Sequence, residues 1–280
     1  MKIGVMIHCT DLAIAPAELA VAAEERGYES IFVTEHTHVP VRSFIRWRDG
    51  EPMPEEYKRL HDPIVALATA AAVTSTIQIG TGVLVLAQRE PLATAKQLAS
   101  LDVLSNGRLI CGIGYGWLAD ELAQHGVAWK GRRRALAEHL EAVRTLWTDE
   151  EAAYSGDFVS FGPSWSFPKP LRRPPILLGA AGSPASLKDV IEFADGWMPI
   201  EGTEPITDRW QRIRELAHDR GRDPGTLGLT VYGSSGDRTT LDGHRSIGAD
   251  RVVIGLAGGR DDVMRQLDLH QALVPAFQET

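Results

Sequence analysis

Short Val-, Ile- and Leu-rich runs alternate with helical stretches along nearly the whole chain, and that alternation narrows the fold more than any other feature. The first run, Lys2–Ile7, leads to a helix over Pro16–Arg26, with proline at its start and Gly27 just past its end. Ser30–Glu35 is the second strand, followed by a loop over 36–61. Asp62 and Pro63 then open a helix as its N-cap and first helical residue. Thr76–Val83 is the third strand, Pro91–Leu104 a helix stopped by Asn106 and Gly107, Arg108–Ile113 the fourth strand and Arg132–Trp147 an amphipathic helix. Residues 149–173 break the rhythm: Tyr154–Phe161 reads as a small hairpin, and Pro163, Pro168 and Pro170 argue against helix. Strands then recur at Ile176–Leu178, Gly196–Pro199, Leu227–Tyr232 and Arg251–Ile254, with helices at Ser183–Ala194, Ile206–Arg220, Arg238–Ile247 and Asp261–His270.

The result is eight strand–helix units in 280 residues, with strands so continuously apolar that both faces must be covered. Right-handed crossovers then predict an α/β fold of one domain over residues 1–280. It is a closed (β/α)8 TIM barrel with an irregular insertion after the fourth helix. An open doubly wound sheet would usually carry a glycine-rich turn after its first strand, and the segment here, HCTDLAIAP, has no glycine.

Composition sets the outer limits. The chain is 44% apolar and 24% charged, ordinary globular usage, and no apolar run reaches the roughly 18–20 residues of a membrane helix. Its 29 Lys and Arg against 37 Asp and Glu give a net charge of −8, which disfavours nucleic acid or an anionic membrane as partner. MKIGVMIHCT shows no secretory signal, and two cysteines, Cys9 and Cys111, make no disulfide framework, so a cytoplasmic location is expected.

Chemistry in a barrel gathers at the C-terminal strand ends. Glu35, His36 and His38 crowd the second end; with His61 they are the material for a metal-dependent hydrolase, or His36 is a proton-handling group beside a cofactor. Strict alternation sends Glu35 and His36 to opposite sides of the strand. Gly179, Ala180, Ala181, Gly182 and Ser183 join the fifth strand directly to a helix, where exposed amides and the helix dipole make a phosphate cradle. Gly258 and Gly259 are a second cradle candidate. Arg42–Arg46–Arg48, Arg89, Arg132–Arg133–Arg134 and Arg172–Arg173 are candidates for a cationic rim.

With those residues in view, the chain resembles the luciferase-like monooxygenase superfamily, and within it the coenzyme F420-dependent oxidoreductases. The marks are YESIFVTEH, the run IGTGVLVLAQREPLATAKQLASLDVLSNGR with the following CGIGYGW, then PKPLRRPPILLGAAG and ADGWMP. The resemblance implies a barrel whose mouth holds a deazaflavin, coenzyme F420, or in the alternative FMN with monooxygenase chemistry. It places the ring system near Thr81, Gly82, Val83, Gly114 and Tyr115, and implies a cis peptide at Gly82–Val83. It puts the phosphate on Gly179–Ser183, His36 in the position of a base and Glu35 beside it, with no metal. One departure stands out: sugar-phosphate-oxidising relatives carry an acidic glutamate just after the strand-four glycines, where this chain has Trp117, followed by Asp120 and Glu121. The resulting expectation is hydride transfer between F420 and a small organic substrate. The pocket would be built from 36–61, 114–130 and 149–173. A homodimer is common among such proteins, and a cofactor carrier without catalysis is the non-enzymatic alternative.

Overall fold

A computed structural model describes residues 1–41, 50–203 and 205–278. In chain order the elements are β1 (Lys2–Ile7), α1 (Pro16–Glu25), β2 (Ser30–Val33), α2 (Pro63–Val73), β3 (Gln78–Thr81), α3 (Pro91–Leu104) and β4 (Leu109–Gly114). They continue with α4 (Ala119–Gln124), α5 (Arg132–Thr148), β5 (Ala152–Ser155), β6 (Ser160–Ser164), β7 (Ile176–Gly179), α6 (Pro184–Phe193) and β8 (Gly196–Trp197). The last are α7 (Ile206–Asp219), β9 (Gly228–Ser234), α8 (Arg238–Ser246), β10 (Arg251–Leu256), α9 (Arg260–His270) and α10 (Leu273–Gln278).

The strands β1-β10-β9-β8-β7-β4-β3-β2 close into one parallel barrel, with β2 pairing back onto β1. This is the expected TIM barrel. The insertion after α5 is an antiparallel pair, β5 with β6, in which Tyr154 faces Phe161 and their rings stack with centroids 6.4 Å apart. Two helices were not legible in the sequence. The six residues of α4 follow a Gly-Trp turn with no side-chain cap, and α10 contains Pro275, tolerated because it falls in the first turn. Among the described residues, no helix is long and apolar enough to cross a membrane.

Alternation along the strands sorts side chains into two layers. Ile3, Val5 and Ile7 of β1, Ile31 and Val33 of β2, and Val252 and Ile254 of β10 belong to the large core between strands and helices. Met6, Phe32, Ile110, Leu177, Met198, Tyr232 and Val253 make a second cluster inside the barrel. Below it, Arg251 donates Nε and Nη2 to the two carboxylate oxygens of Glu29, at 2.7 and 2.6 Å, with its guanidinium 5.9 Å from the Phe32 ring centre. Glycines make room for the large inner residues. A Cβ on Gly80 would stand 2.3 Å from the Phe32 ring.

β3 ends two residues earlier than the apolar run suggests. Gly82 N–H still donates to the Val33 carbonyl of β2, at 2.8 Å, but Leu84 N–H donates across to Gly112 of β4, also at 2.8 Å. The strand therefore breaks at Gly82–Val83, whose peptide is cis as expected.

Two glycine substitutions separate close approach from open space. A Cβ on Gly112 would lie 2.0 Å from the Thr81 carbonyl oxygen, a backbone atom that cannot swing aside, whereas Gly243, inside α8, has nothing within 4 Å of that position. Chemical denaturation should find Gly112→Ala less stable by about 1–3 kcal/mol. It should find Gly243→Ala more stable by about 0.4–1 kcal/mol.

Candidate active site

The parity of β2 decides what faces the barrel mouth. Phe32 points into the barrel, so Thr34 and His36 continue on that side, and Glu35 falls on the helix side with Ile31 and Val33. Glu35 is 5% exposed and both its oxygens are engaged: Oε2 accepts from Val85 N–H and Oε1 from Arg89 Nε, each at 2.6 Å. Arg89 also reaches Asp62 Oδ2 at 2.6 Å, and Asp62 Oδ1 caps α2 by accepting from the amides of Ile64 and Val65. Burial pushes the Glu35 carboxyl above its ordinary value against the pull of Arg89, whereas in Asp62 the same arginine and the two amides outweigh burial and hold the carboxyl low. Glu35 thus braces the backbone after the cis peptide.

His36 is 8% exposed, and its Nδ1 lies 2.6 Å from Oε2 of Glu121, which is 2% exposed. The other oxygen of Glu121 accepts from Thr37 N–H at 2.9 Å, from Thr37 Oγ1 at 3.1 Å and from Gln88 Nε2 at 3.3 Å. Burial works against ionisation of Glu121, but the hydrogen bonds from His36 and Thr37 outweigh it and hold the carboxyl below its ordinary range. An ionised carboxylate can only accept, so Nδ1 of His36 carries the proton. Nε2 has no hydrogen-bond partner within the chain among the described residues. Around the ring stand Tyr57 and Trp117, each with its centroid 5.5 Å away, and His8 lies 4.9 Å from Tyr57. Burial pushes the His8 imidazole below its ordinary value.

The glycines at the ends of β4 and β7 are seats for one side chain. A Cβ on Gly114 would meet Val83 Cγ2, and one on Gly179 would meet Val83 Cγ1, both at 2.6 Å. Thr81 is fully buried, and its hydroxyl donates to the Gly112 carbonyl at 2.8 Å. Beyond Gly179 the chain passes through Ala180, whose carbonyl accepts from Trp197 Nε1 at 2.9 Å, to Gly182 at φ 47°, a left-handed value that suits glycine. Ser183 caps α6: its hydroxyl accepts from Ser186 N–H at 3.2 Å, so that oxygen is already committed. The amides of Ala181 and Gly182 have no acceptor within the chain among the described residues, and they border the N-terminus of α6. Tyr115 donates to Asp189 of α6, and Arg133 grips the same carboxylate and the Ala185 carbonyl, the latter at 2.9 Å. Burial pushes the Tyr115 phenol well above its ordinary value.

The structure redraws two other expectations. Arg172 donates to the Gly107 carbonyl and to Gln78 Oε1, and Arg173 pairs with Asp195. Those partners precede or begin strands β3, β4 and β8, so this pair lies at the far end of the barrel from the mouth. Placing it by the strand it follows, β4, puts it at the mouth, whereas it leads directly into β7 and so lies at that strand's N-terminal end. Arg134 pairs with Asp157 on the surface, Arg132 lies against the Trp129 ring at 3.4 Å, and Arg42, Arg46 and Arg48 fall outside the described residues. The 149–173 excursion packs on α5, where Glu138 accepts from the amides of Asp157, Phe158 and Val159. The other two loops deliver Tyr57, Trp117 and Glu121 to His36.

Glu35, His36, His38 and His61 do not converge on one point. Among the described residues the converging set is His38, Glu121 and His125, with ligand atoms within 4.8 Å of one another. Thr37 Oγ1 already bridges it, 2.7 Å from His125 Nε2 and 3.0 Å from His38 Nδ1.

The family model for luciferase-like monooxygenase matches residues 15–235. The chain belongs to that family. An uncharacterized protein of Mycobacterium tuberculosis is 41% identical over 237 residues, covering 82% of this chain and 84% of that one. An F420-dependent glucose-6-phosphate dehydrogenase of Amycolatopsis mediterranei is 33% identical over 201 residues, covering 69% of this chain and 55% of the relative. Among solved structures, the monooxygenase RslO1 from Streptomyces bottropensis superposes with a TM-score of 0.81 at 23% identity, covering 99% of this chain and 100% of that one. An F420-dependent secondary alcohol dehydrogenase in complex with an F420-acetone adduct does so at 0.80 and 16%, covering 99% of both chains; both likenesses show the fold.

The sequence pattern places His36 at the mouth but gives Glu121 no partner, because three residues separate it from Trp117 and the six-residue α4 has no side-chain cap to mark it. Tyr57 and Gln88 carried no local signal. Tyr232 did: it ends the predicted seventh strand.

Glu121→Gln should cost about 1–3 kcal/mol at neutral pH. A carboxyl held below its ordinary range contributes stability above that range and loses it as pH falls through the folded value. The gap between wild type and variant in denaturant titrations should therefore close in acid.

Proposed function

We propose that this protein is an oxidoreductase that moves a hydride between coenzyme F420 and a small organic substrate, with His36 handling the accompanying proton. The observation that carries this reading is His36 held at Nδ1 by Glu121, on the inward side of β2, at the same mouth as the Gly82–Val83 turn and the Gly179–Ser183 loop. Members of the family use a flavin or a deazaflavin, and the residues present fit such a group. The amides of Ala181 and Gly182 beside the N-terminus of α6 suit its phosphate. Two buried hydroxyls on the inward side, those of Thr34 and Tyr232, have no partner among the described residues and suit polar atoms of a ring. Gly114 and Gly179 let Val83 sit low between β4 and β7, which leaves the turn as a floor for a flat ring.

A bound deazaflavin supplies a carbon that gives or takes a hydride in a two-electron step. Glu121 fixes the His36 tautomer, so Nε2 accepts the hydroxyl proton of an alcohol undergoing oxidation, and protonated Nε2 returns it when a carbonyl is reduced. Tyr57 and Trp117 flank the imidazole, and His8 stands behind Tyr57. The F420-dependent dehydrogenase relative at 33% identity favours the deazaflavin over FMN. With Arg172 and Arg173 at the other end of the barrel, Arg133 held by Asp189 and Arg134 by Asp157, Arg132 is the cation of the predicted clusters that has no carboxylate partner among the described residues, and it suits an anionic tail.

Cofactor-free protein titrated with F420 and FMN in parallel should bind F420 more tightly, with a preference that shrinks as salt rises. Tight FMN binding with rapid reoxidation by oxygen would install monooxygenase chemistry instead. On whichever member of an alcohol and sugar-phosphate panel bleaches or restores the deazaflavin fastest, His36→Ala should cut turnover by roughly 10²–10⁴-fold with cofactor affinity nearly unchanged. Full turnover in that variant would make His36 a wall residue.

A further inference from the structure

Tyr232 lies on the inward face of β9, in the cluster that fills the barrel with Met6, Phe32, Ile110, Leu177, Met198 and Val253. Its ring meets Phe32 edge-on, with centroids 6.2 Å apart at 84°. The residue is 7% exposed, and its hydroxyl is buried with no hydrogen-bond partner among the described residues. The hydroxyl points at the turn after β3: a Cβ on Gly82 would stand 2.5 Å from it, so glycine there is what leaves the oxygen room. Phenylalanine would fill the same space among the same apolar neighbours without burying an unmet donor. Thr34 Oγ1, on the inward side of β2, is also buried without a partner among the described residues.

We propose that the Tyr232 hydroxyl is a cofactor-binding donor, which gives its hydrogen bond to a carbonyl or ring-nitrogen acceptor of the flat ring seated on the Gly82–Val83 turn. The assignment rests on the cofactor reading above and adds to it a specific contact at the ring, apart from the phosphate loop. Burial raises the phenol far above its ordinary value, so the oxygen keeps its proton and donates at any working pH. In the unliganded protein this donor is an unrepaid desolvation, and the ligand's acceptor satisfies it.

That logic makes Tyr232→Phe move two quantities in opposite directions. The unliganded variant should melt at the same temperature as wild type or higher. Its affinity for F420, read by the change in chromophore absorbance on binding, should fall by about threefold to tenfold. Unchanged affinity would overturn the assignment. So would a lower melting temperature without ligand, since the hydroxyl would then serve the fold. Wild-type protein that binds neither F420 nor FMN would instead overturn the cofactor reading itself, and this contact with it.

Discussion

Buried charge at the barrel mouth must be neutralised on the spot, and Arg89 does this for two segments at once. It holds Glu35 at the end of β2 and Asp62 at the head of α2, while Glu35 also takes the Val85 amide. Three chain segments are thereby tied on the helix side of the strand, directly behind the turn at Gly82–Val83. Removing one partner of such a buried pair leaves a charge with no compensation, which costs far more than the pair contributes. Because Glu35 is fixed outward, the next residue must face inward, and this brings His36 to the mouth.

On the inner side the same economy of partners recurs with a different outcome. Glu121 accepts from His36 at one oxygen and from Thr37 and Gln88 at the other, and so orients the imidazole. Among the described residues, the buried side-chain oxygens without a partner include Thr34 Oγ1 and the Tyr232 hydroxyl on the inward side. Such groups, with the two amides before α6, suit a ligand with acceptors. The family to which the chain belongs supplies ligands of that kind.

The barrel was legible because its strands have to be apolar on both faces and its helices begin with proline: Pro16, Pro63, Pro91 and Pro184 each stand at the first position of a helix. The side of β2 taken by His36 followed from a period of two. What could not be read was anything that depends on which segments meet. Glu121 reaches back 85 positions to His36, Arg89 reaches 54 to Glu35, and Arg172 reaches 65 to Gly107, at the opposite end of the barrel from the one its neighbours in sequence suggested. Arg172 and Arg173 bind groups at the N-terminal ends of strands, so a rim inferred from neighbours in sequence included a pair that the closed barrel places at its other end.

The proposed proton transfer depends on the orientation that Glu121 gives His36. Nitrogen-15 spectra of the imidazoles, with His36 assigned from a His36→Gln sample and recorded above the ordinary titration range of histidine, read that orientation directly. The expected spectrum is that of a His36 ring protonated at Nδ1 and bare at Nε2, with a mixture of tautomers in Glu121→Gln. A wild-type ring carrying its proton on Nε2, or one indifferent to the loss of the carboxylate, would contradict it.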